Sequence, residues 1–371
     1  MPPLQFELAS QEDDIDLRHL LRENPMPGAI SLSFEREPNF FGAADIEGTF
    51  HQTIAARDIE SNKLIAFGSR SVRPMYVDGK VQPVGYMSQL RVQPTYRNGM
   101  VVARGLADGF RYFHQLHQDG RAPYYLMSVI EENKAAHRLL CSGLSGYPTV
   151  RPLARLFTYA ISPRRKARVV APPDSLKLLR ADDSHAERIV AFLNQTNSRF
   201  EYSPYWTVDT LFRANLKPAD FLLLAEGQTI KACLASWDQS GYKQTVVRGY
   251  TGPIRRWRKV LNSFSRLGGW PHLPAPGTPL RHTFASHGAV EGENPDLFAC
   301  LLSALHNYSL SRGDDYFVIG LTEGHPFRVA LRRYRAQVYI SQLYVVGWGD
   351  PPFPDSVFES TRPVGIEIAM L

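Results

Sequence analysis

One long stretch in the first half of the chain carries apolar residues at helical spacing. Between residues 98 and 118 they recur every three or four positions, as Val102, Leu106, Phe110, Phe113 and Leu116. This spacing places them along one face, which predicts an amphipathic helix lying on a sheet. Asp119-Gly120 follows, and glycine just beyond a helix is a common C-terminal stop.

Short apolar or alternating segments surround this helix and predict strands. In the first half they are residues 4–8, 51–58, 63–72, 84–92, 124–130 and 155–161. Helical patterns predict further helices at residues 11–23, 40–48 and 133–142. The strands at 51–58 and 63–72 flank a polar turn at residues 60–62, which predicts a hairpin.

The same order of elements recurs in the second half. Strands are predicted at residues 176–179, 281–288, 316–321 and 338–346, and a hairpin at 221–235. Helices are predicted at residues 184–194, 208–215, 296–312 and 326–334. Sequence identity between the halves is negligible, so the repeat depends on element order alone. We therefore predict two tandem units, each a mixed, mostly antiparallel α/β (α+β type) sheet flanked by helices.

Two segments interrupt this order. Residues 162–175 are rich in proline and cations, and we predict a linker that divides a unit at 1–161 from one at 176–371. Residues 250–280 are rich in Gly, Pro and Trp and contain Arg255-Arg-Trp-Arg-Lys259. We interpret this insertion as a long surface loop with an amphipathic helical turn. Basic residues around a tryptophan also suit contact with an anionic acceptor or a nucleobase.

Composition narrows the class of protein. The 371 residues are 44% hydrophobic and 21% charged, as expected of a globular chain of about two domains. No apolar run approaches ~20 residues and no signal segment is evident, so we predict a cytoplasmic protein without a membrane partner. Three scattered cysteines suit a reducing compartment and give no metal-binding spacing. A net charge of +6 favours anionic ligands but makes no case for nucleic acid.

The strand-to-helix junction after residue 92 offers candidate chemistry. A strand stops at Pro94, a short basic turn follows, and the predicted helix begins. The unpaired backbone N–H groups of a helix N-terminus suit phosphate. Arg97 adds a fixed cation, and Gly99 permits a close backbone approach. We therefore predict an anion-binding loop at this junction.

Val92-x-Pro94-x-Tyr96-Arg97, a long helix, a strand and then Asn133-x-x-Ala136 resemble the GNAT superfamily of N-acetyltransferases. The resemblance implies that acetyl-CoA or another acyl-CoA is the acyl donor, with no metal. It implies main-chain contacts to the pantetheine arm from Leu90 and Val92. The implied pyrophosphate loop is Arg97, Asn98, Gly99, Met100 and Val101. Asn133 matches the asparagine beside the cofactor thioether, and it is also a favoured helix N-cap.

The chain departs from the family pattern in three features: the loop, the position of the tyrosine and the turn of the second unit. Met100 and Val102 stand where the family loop has small residues, and Gly99 is one place early. The tyrosine that often protonates the leaving thiolate falls at Leu140, which cannot do so. In the second unit the equivalent turn is Glu291-Gly-Glu-Asn-Pro-Asp296, whose three carboxylates would repel a pyrophosphate. We therefore assign coenzyme A to the first unit and treat the second as a degenerate copy.

Acyl transfer to an amine needs a route for the proton and donors for the oxyanion. The candidates on the strand before the loop are Tyr86, Ser88 and Gln89, and alternation places Tyr86, Ser88 and Leu90 on one face. We take Tyr86 and Ser88 as the catalytic residues. The sequence thus predicts an acyl-CoA-dependent N-acyltransferase, most simply an acetyltransferase, that acts by direct attack on the amine of a small molecule or peptide. A longer-chain donor is a rival. A non-catalytic acyl-CoA or small-ligand module is the alternative from another class. Homodimer formation is left open.

Overall fold

The computed structural model describes residues 3–97, 99–268, 273–354 and 356–371. The chain forms fourteen strands within these ranges. They are β1 Leu4–Leu8, β2 Ile30–Glu35, β3 Phe50–Asp58, β4 Leu64–Val77, β5 Lys80–Val92, β6 Tyr125–Ile130, β7 Thr149–Ile161, β8 Lys177–Arg180, β9 Phe221–Glu226, β10 Thr229–Trp237, β11 Gln244–Tyr250, β12 His282–Val290, β13 Tyr316–Thr322 and β14 Ala336–Gly347.

Ten α-helices lie in the same described ranges. They are α1 Asp14–Arg22, α2 Ala44–Glu47, α3 Gly99–His117, α4 Lys134–Leu140, α5 Ala186–Asn197, α6 Val208–Arg213, α7 Gly252–Gly268, α8 Pro295–Arg312, α9 Arg328–Leu331 and α10 Ser356–Glu359. Short 3-10 turns precede several of them, including Gln11–Asp13 before α1 and Phe40–Ala43 before α2.

Twelve strands form one continuous sheet, in the order β1-β3-β4-β5-β6-β14-β7-β13-β12-β10-β9-β8. Most neighbours are antiparallel, but β5 pairs with β6 and β12 with β13 in parallel. Strand β14 comes from the second half of the chain, yet it lies between β6 and β7 of the first half. Strand β7 in turn pairs with β13 of the second half. The two units therefore exchange their last strands.

Local sequence explains the elements that border the central strands. Asp78 and Gly79 both have positive φ, 50° and 70°, as the tight turn of a two-residue hairpin requires, and they join β4 to β5. Helix α8 begins at Pro295, and the preceding residue, Asn294, is its N-cap. The side chain of Asn294 accepts the N–H of Asp296. Gly313 ends α8 in the left-handed conformation with φ 74°.

The helices cover both faces of the sheet. Phe110 and Phe113 of α3 pack with Tyr125 and Met127 of β6 in one buried cluster. On the second unit, the buried residues of α8 pack with those of β10, β12 and β13. Full burial of an apolar side chain contributes about 1.5–3 kcal/mol relative to exposure. These apolar faces therefore hold α3 and α8 against the strands that precede and follow them.

A two-stranded ribbon links the units and was not predicted from the sequence. Strand β2 pairs antiparallel with β11, from Gln244↔Glu35 to Tyr250↔Ile30. The insertion at residues 250–280 also differs from the predicted surface loop. Beyond β11 it forms α7, a helix of 17 residues, while residues 269–272 lie outside the described residues. The helical turn inferred from its pattern is therefore a full helix.

The predicted fold class is confirmed: two mostly antiparallel units with helices on the sheet. The predicted strands at 4–8, 51–58 and 124–130 match β1, β3 and β6 to within a residue. Strands β4 and β7 run five and six residues beyond the predicted segments, because pairing with β5 and β14 carries them on. The predicted helix at 326–334 is wrong in length, since only Arg328–Leu331 is α-helical.

Candidate functional site

Strands β5 and β6 separate part-way along their length. Their parallel ladder runs from Gly85↔Tyr125 to Met87↔Met127, whereas β5 continues to Val92 and β6 to Ile130. We call the space between the two strands beyond these last pairs the first cleft. Backbone N–H and C=O groups on this side of β5 have left the ladder, so they are available to a ligand.

A β-bulge accompanies the separation. The ladder between β4 and β5 pairs Ser69 with Ser88 and then Phe67 with Arg91, so two residues of β5 oppose one of β4. Gln89, the first of the two, has φ 58°, which is unusual for a residue with a side chain. The bulge bends β5 away from β6 and opens the first cleft.

The turn after β5 is short and basic, as predicted. Residues Pro94–Tyr96 form a 3-10 turn, and α3 begins at Gly99, whose φ is 46°. Met100 is 71% exposed at the start of the helix, and Val101 beside it is half-buried. Asn98, which the resemblance places in the same loop, lies outside the described residues. The turn therefore sets an α-helix N-terminus at the end of the first cleft.

Two arginines bend back over the end of β5. Arg97 Nε donates to the main-chain oxygen of Val92 at 3.0 Å, and Arg91 Nη1 donates to that of Leu90 at 3.0 Å. Burial lowers the pKa of Arg97, and burial with nearby Arg36 and Arg97 lowers that of Arg91 to about 10. Both groups stay cationic at neutral pH. They gather positive charge at the mouth of the first cleft and satisfy the two carbonyls predicted to meet pantetheine.

Tyr86 and Ser88 lie on the face of the sheet opposite α3. Tyr86 belongs to the buried cluster with Met75, Val84 and Tyr124, and its hydroxyl lies 2.7 Å from Ser128 Oγ. Burial raises the pKa of Tyr86 to about 12, so the phenol keeps its proton at neutral pH. Ser88 Oγ is buried and has no hydrogen-bond partner among the described residues. Both can donate hydrogen bonds, and neither is a strong base.

Asn133 is the N-cap of α4. Its Oδ1 accepts the N–H of Ala136 at 3.1 Å. This is the capping role, one of the two roles considered for Asn133 from the sequence, the other being a contact with the cofactor. Leu140, at the position of the family tyrosine, is 4% exposed and packs in the core with Phe110 and Tyr125. A phenol from the exchanged strand contacts α4, since Tyr344 Oη lies 2.6 Å from His137 Nδ1.

A buried charged cluster that was not predicted from the sequence lies behind Tyr86. Glu47 and Arg36 are each 2% exposed and form an ion pair. His51 Nε2 lies 2.9 Å from the other oxygen of Glu47. Arg73 donates to the main-chain oxygens of Ile46 and Glu47. The second half of the chain adds Lys243, whose Nζ is 3.9 Å from Glu47. Residues far apart in sequence therefore build one electrostatic unit.

The pKa values in this cluster follow from burial and charge. Burial opposes ionisation of Glu47, but Arg36, His51 and Lys243 together hold its pKa well below the usual range. Burial lowers the pKa of Arg73 to about 10 and that of Lys243 to about 8. Arg73 Nη1 has no hydrogen-bond partner among the described residues. The cluster thus holds more cations than anions behind the first cleft.

The second unit repeats the backbone of the first cleft. Strands β12 and β13 are paired from His282↔Tyr316 to Phe284↔Val318 and then separate. A matching bulge lies between Ser286 and Ala289, and His287 has φ 53° as Gln89 has φ 58°. We call the space beyond the last pair the second cleft.

The second cleft is filled by the chain itself. Residues 363–368 run into it: Gly365 N–H donates to Glu201, and Thr322 Oγ1 donates to Val364. Glu367 Oε2 accepts the N–H of His287 at 2.7 Å. A Cβ placed on Gly320 of β13 would lie 2.6 Å from Cβ of Ile368. The C-terminal segment therefore contacts both strands that border the second cleft, β12 through Glu367 and β13 through Ile368.

The turn beside the second cleft is acidic and shorter than its counterpart. Glu291 pairs with Lys231 at 2.9 Å, and Glu293 lies 3.9 Å from Arg199. Four residues separate β12 from α8, whereas six separate β5 from α3. Phe298 of α8 also lies so close to Gly288 that a Cβ there would meet its ring at 2.8 Å. The turn beside the second cleft therefore carries acidic side chains where the first turn is basic, and Phe298 packs over its bulge.

Comparison with solved structures identifies the fold. The chain is similar to a GCN5-related N-acetyltransferase from Sphaerobacter thermophilus, with a TM-score of 0.56 and 13% identity over 93% of this chain and 96% of that one. It is also similar to N-myristoyltransferase from Saccharomyces cerevisiae with bound myristoyl-CoA, with a TM-score of 0.60 and 11% identity over 99% of this chain and 86% of that one. Both neighbours have the GNAT fold, and so does this chain, in two units.

Sequence comparisons add nothing to this result: no protein-family model and no curated protein matches the chain. Among the described residues, no helix is both long and apolar enough to cross a membrane. The same ranges contain no group of three or more His, Cys, Asp or Glu placed to hold a metal ion.

Proposed function

We propose that this protein transfers an acyl group from acyl-coenzyme A to an amine, with the donor bound in the first cleft. The observation that carries the proposal is the contrast between the two clefts. The first is lined by backbone groups of β5 that are not paired with β6, ends at a basic turn and leads to a helix N-terminus. The second is filled by residues 363–368. An extended, anionic cofactor requires such a combination.

The donor would lie along β5. Its pyrophosphate would meet Arg97 and the first backbone N–H groups of α3, from Gly99 through Val101, with Asn98 in the same loop. Its pantetheine amides would bond the main chain of Leu90 and Val92, replacing the Arg91 and Arg97 contacts to those carbonyls. Asn133 would lie beside the thioether end of the arm. Arg97 is thereby released from Val92 to meet phosphate.

In the transfer step the amine nitrogen forms a bond to the thioester carbonyl carbon, and the carbon–sulfur bond then breaks. The amine loses a proton, and the coenzyme A thiolate gains one. Tyr86 and Ser88 would donate hydrogen bonds to the carbonyl oxygen as it becomes an oxyanion. Burial keeps Tyr86 protonated and therefore a donor, and Ser88 Oγ has no competing partner among the described residues.

The acceptor is an amine of a small molecule or peptide. The net positive cluster of Arg36, Arg73 and Lys243 around Glu47 would hold an approaching amine neutral, because nearby cations disfavour its ammonium form. Acetyl is the simplest acyl group. Myristoyl-CoA is bound by the yeast structural neighbour, so competition between acetyl- and myristoyl-CoA would define the chain length.

Calorimetric titration with acetyl-CoA tests the donor site. We expect Arg97→Glu to weaken binding by ~100-fold, because it removes a charge-assisted contact of about 1.5–3 kcal/mol and adds repulsion. Arg111→Glu is the matched control, since Arg111 lies on the same helix about 18 Å along its axis from Gly99. Equal affinity in wild type and both variants would remove the donor from this loop.

A second function, acyl-CoA binding without transfer, is favoured by Leu140. This buried leucine occupies the position of the family tyrosine that protonates the leaving thiolate, and it cannot supply a proton. Acylation assays over a panel of amines, with free coenzyme A as the readout, distinguish the two functions. Release of free coenzyme A that depends on the amine, and is lost in a Tyr86→Phe/Ser88→Ala variant that still binds acetyl-CoA, supports transfer. Tight binding with no amine-dependent release supports the binding module.

A further inference from the structure

Helix α7 presents its apolar stripe to solvent. Its inward side chains Ile254, Arg258 and Asn262 are spaced by four residues. Ile254 packs on the β2–β11 ribbon, and Arg258 and Asn262 donate to the main-chain oxygen of Leu273. Facing outward are Trp257, Val260 and Leu261, which are 53%, 45% and 42% exposed. The helix is therefore anchored through a partly polar face and leaves aliphatic and aromatic groups in water.

The segment of chain that contains this stripe carries charge of one sign. Between Asp238 and Glu291 the chain has no acidic residue, but it has eight Lys and Arg, and five of these lie within α7. Arg255, Arg256 and Lys259 are exposed on the polar side of the helix, and Arg256 borders the apolar stripe at Val260. A helix that has a tryptophan and aliphatic side chains on one exposed face and cations on the other has the composition of one that lies in a membrane interface.

We propose that α7 docks this protein on an anionic lipid surface, with Trp257, Val260 and Leu261 entering the interface and Arg255, Arg256 and Lys259 contacting the headgroups. Phe34 of β2 extends the surface: it is 45% exposed, and alternation places it on the same ribbon face as Ile30 and Leu32, where Ile254 packs. Charge complementarity selects the partner, because only a negative surface offsets cations that have no acidic neighbour in this segment.

This contact differs from the membrane partner that the sequence excluded. Residues that span a bilayer need a long apolar run, whereas an interfacial helix needs one apolar stripe beside cations. A single-stranded nucleic acid would use the cations and the tryptophan, but it offers nothing to Val260 and Leu261. The aliphatic part of the stripe therefore favours lipid, and nucleic acid becomes an outcome of the test.

Vesicle flotation with the full chain tests the docking. We expect binding to vesicles that contain phosphatidylglycerol, weak binding to pure phosphatidylcholine, and loss of binding as salt rises. Trp257→Ala/Leu261→Ala should weaken binding by about tenfold or more through lost apolar burial. Arg255→Glu/Lys259→Glu should weaken it at least as much, because each cation near the surface contributes substantially.

Matched controls carry the same chemical changes elsewhere. Ile15→Ala removes an apolar residue that is 71% exposed on α1, and Lys80→Glu reverses an exposed charge in the β4–β5 turn. Both should leave binding unchanged. Trp257→Phe should keep binding but lose part of the fluorescence quenching by brominated lipid, which places residue 257 in the bilayer. Thermal melts confirm that each variant is folded.

Several outcomes would overturn the proposal. One is absence of binding to either kind of vesicle by the wild-type chain. Another is binding that the α7 variants leave unchanged while they remain folded. A third is protection of Trp257 by single-stranded nucleic acid or by self-association of the chain, without any effect of lipid. Each outcome assigns the exposed stripe to a different partner or to none.

Discussion

The two clefts share a backbone and differ in what occupies them. Ser88 and Ser286 hold equivalent positions in the two bulges, and Gln89 and His287 share the same left-handed conformation. Separating two parallel strands leaves backbone polar groups that need partners. In the second unit the Glu367 carboxylate of the C-terminal segment accepts the N–H of His287. In the first unit two arginine side chains donate to main-chain oxygens of β5.

The two clefts differ in how their backbone groups and space are occupied. The second cleft is closed with buried side chains, Phe298 over Gly288 and Ile368 over Gly320. The first cleft is open, and the guanidinium groups of Arg91 and Arg97 donate to its main-chain oxygens. A filled cleft adds to stability, whereas an open one holds its polar groups ready for a ligand. Stability measurements should therefore respond to changes in the second cleft, and ligand measurements to changes in the first.

Acid should destabilise the second cleft. Burial lowers the pKa of His287 to about 3 and that of His325 to about 4. A base with a depressed native pKa binds fewer protons when folded, so its contribution to stability falls as pH drops below ~6.5. From pH 7 to pH 5 the two histidines together cost about 4 kcal/mol.

Glu367 acts in the opposite direction, because burial raises its pKa to about 7. As the pH falls, Glu367 takes up a proton at a higher pH in the folded state than in the unfolded state. This raises the free energy of unfolding by about 2 kcal/mol between pH 7 and pH 5. We therefore expect Glu367→Gln to lose about 2 kcal/mol more than wild type between pH 7 and pH 5. Urea unfolding at both values measures this difference. Parallel pH profiles for the two proteins would mean that Glu367 ionises normally.

Removing the side chain that packs the C-terminal segment should also be costly. Ile366 is 4% exposed and belongs to the cluster with Tyr86 and Leu126, so we expect Ile366→Ala to lower the free energy of unfolding by about 3 kcal/mol. Leu90→Ala is the counterpart in the first cleft. Leu90 is 43% exposed, and its truncation should change the free energy of unfolding by less than about 0.5 kcal/mol.

Denaturant unfolding of both variants checks the contrast. The ratio of the two losses is the informative quantity, since each variant removes part of one aliphatic side chain, Ile366 in the C-terminal segment and Leu90 in β5. Similar losses in both variants would show that the first cleft is packed as the second is. Acetyl-CoA titration of Leu90→Ala provides a second readout, because the proposed main-chain contact at residue 90 survives truncation of the side chain.

Local patterns were enough to predict most of the fold. Period-two segments located β1, β3 and β6, and the apolar stripe from Val102 to Leu116 located α3. The acidic turn at residues 291–296 distinguishes the second unit from the first in the sequence itself, because the charge of a helix N-terminus depends on neighbouring residues. The assignment of the donor to the first unit on this basis stays a prediction. These are features in which neighbouring residues alone determine the outcome.

Features built from distant residues escaped prediction. Strand β14 was predicted as a strand, but nothing in its sequence indicates that it lies between β6 and β7. Lys243 lies beside the ion pair of Arg36 and Glu47, although it is about two hundred residues away from both in the sequence. The filling of the second cleft by residues 363–368 depends on where a loop returns. Contacts of this kind are set by tertiary packing rather than by local pattern.

Asn133 offers the finest test of how far the first cleft binds a ligand. Its side chain caps α4, so Asn133→Ala should cost about 1 kcal/mol of stability whether or not a cofactor is bound. Asn133→Ser keeps a capping oxygen and should restore most of that stability, but its shorter side chain reaches less far toward a thioether. If Asn133 also meets the donor, Asn133→Ser will unfold like wild type and bind acetyl-CoA more weakly. If both properties return together in Asn133→Ser, the residue is a cap alone, and the first cleft binds its ligand through β5 and the Arg97 turn without help from α4.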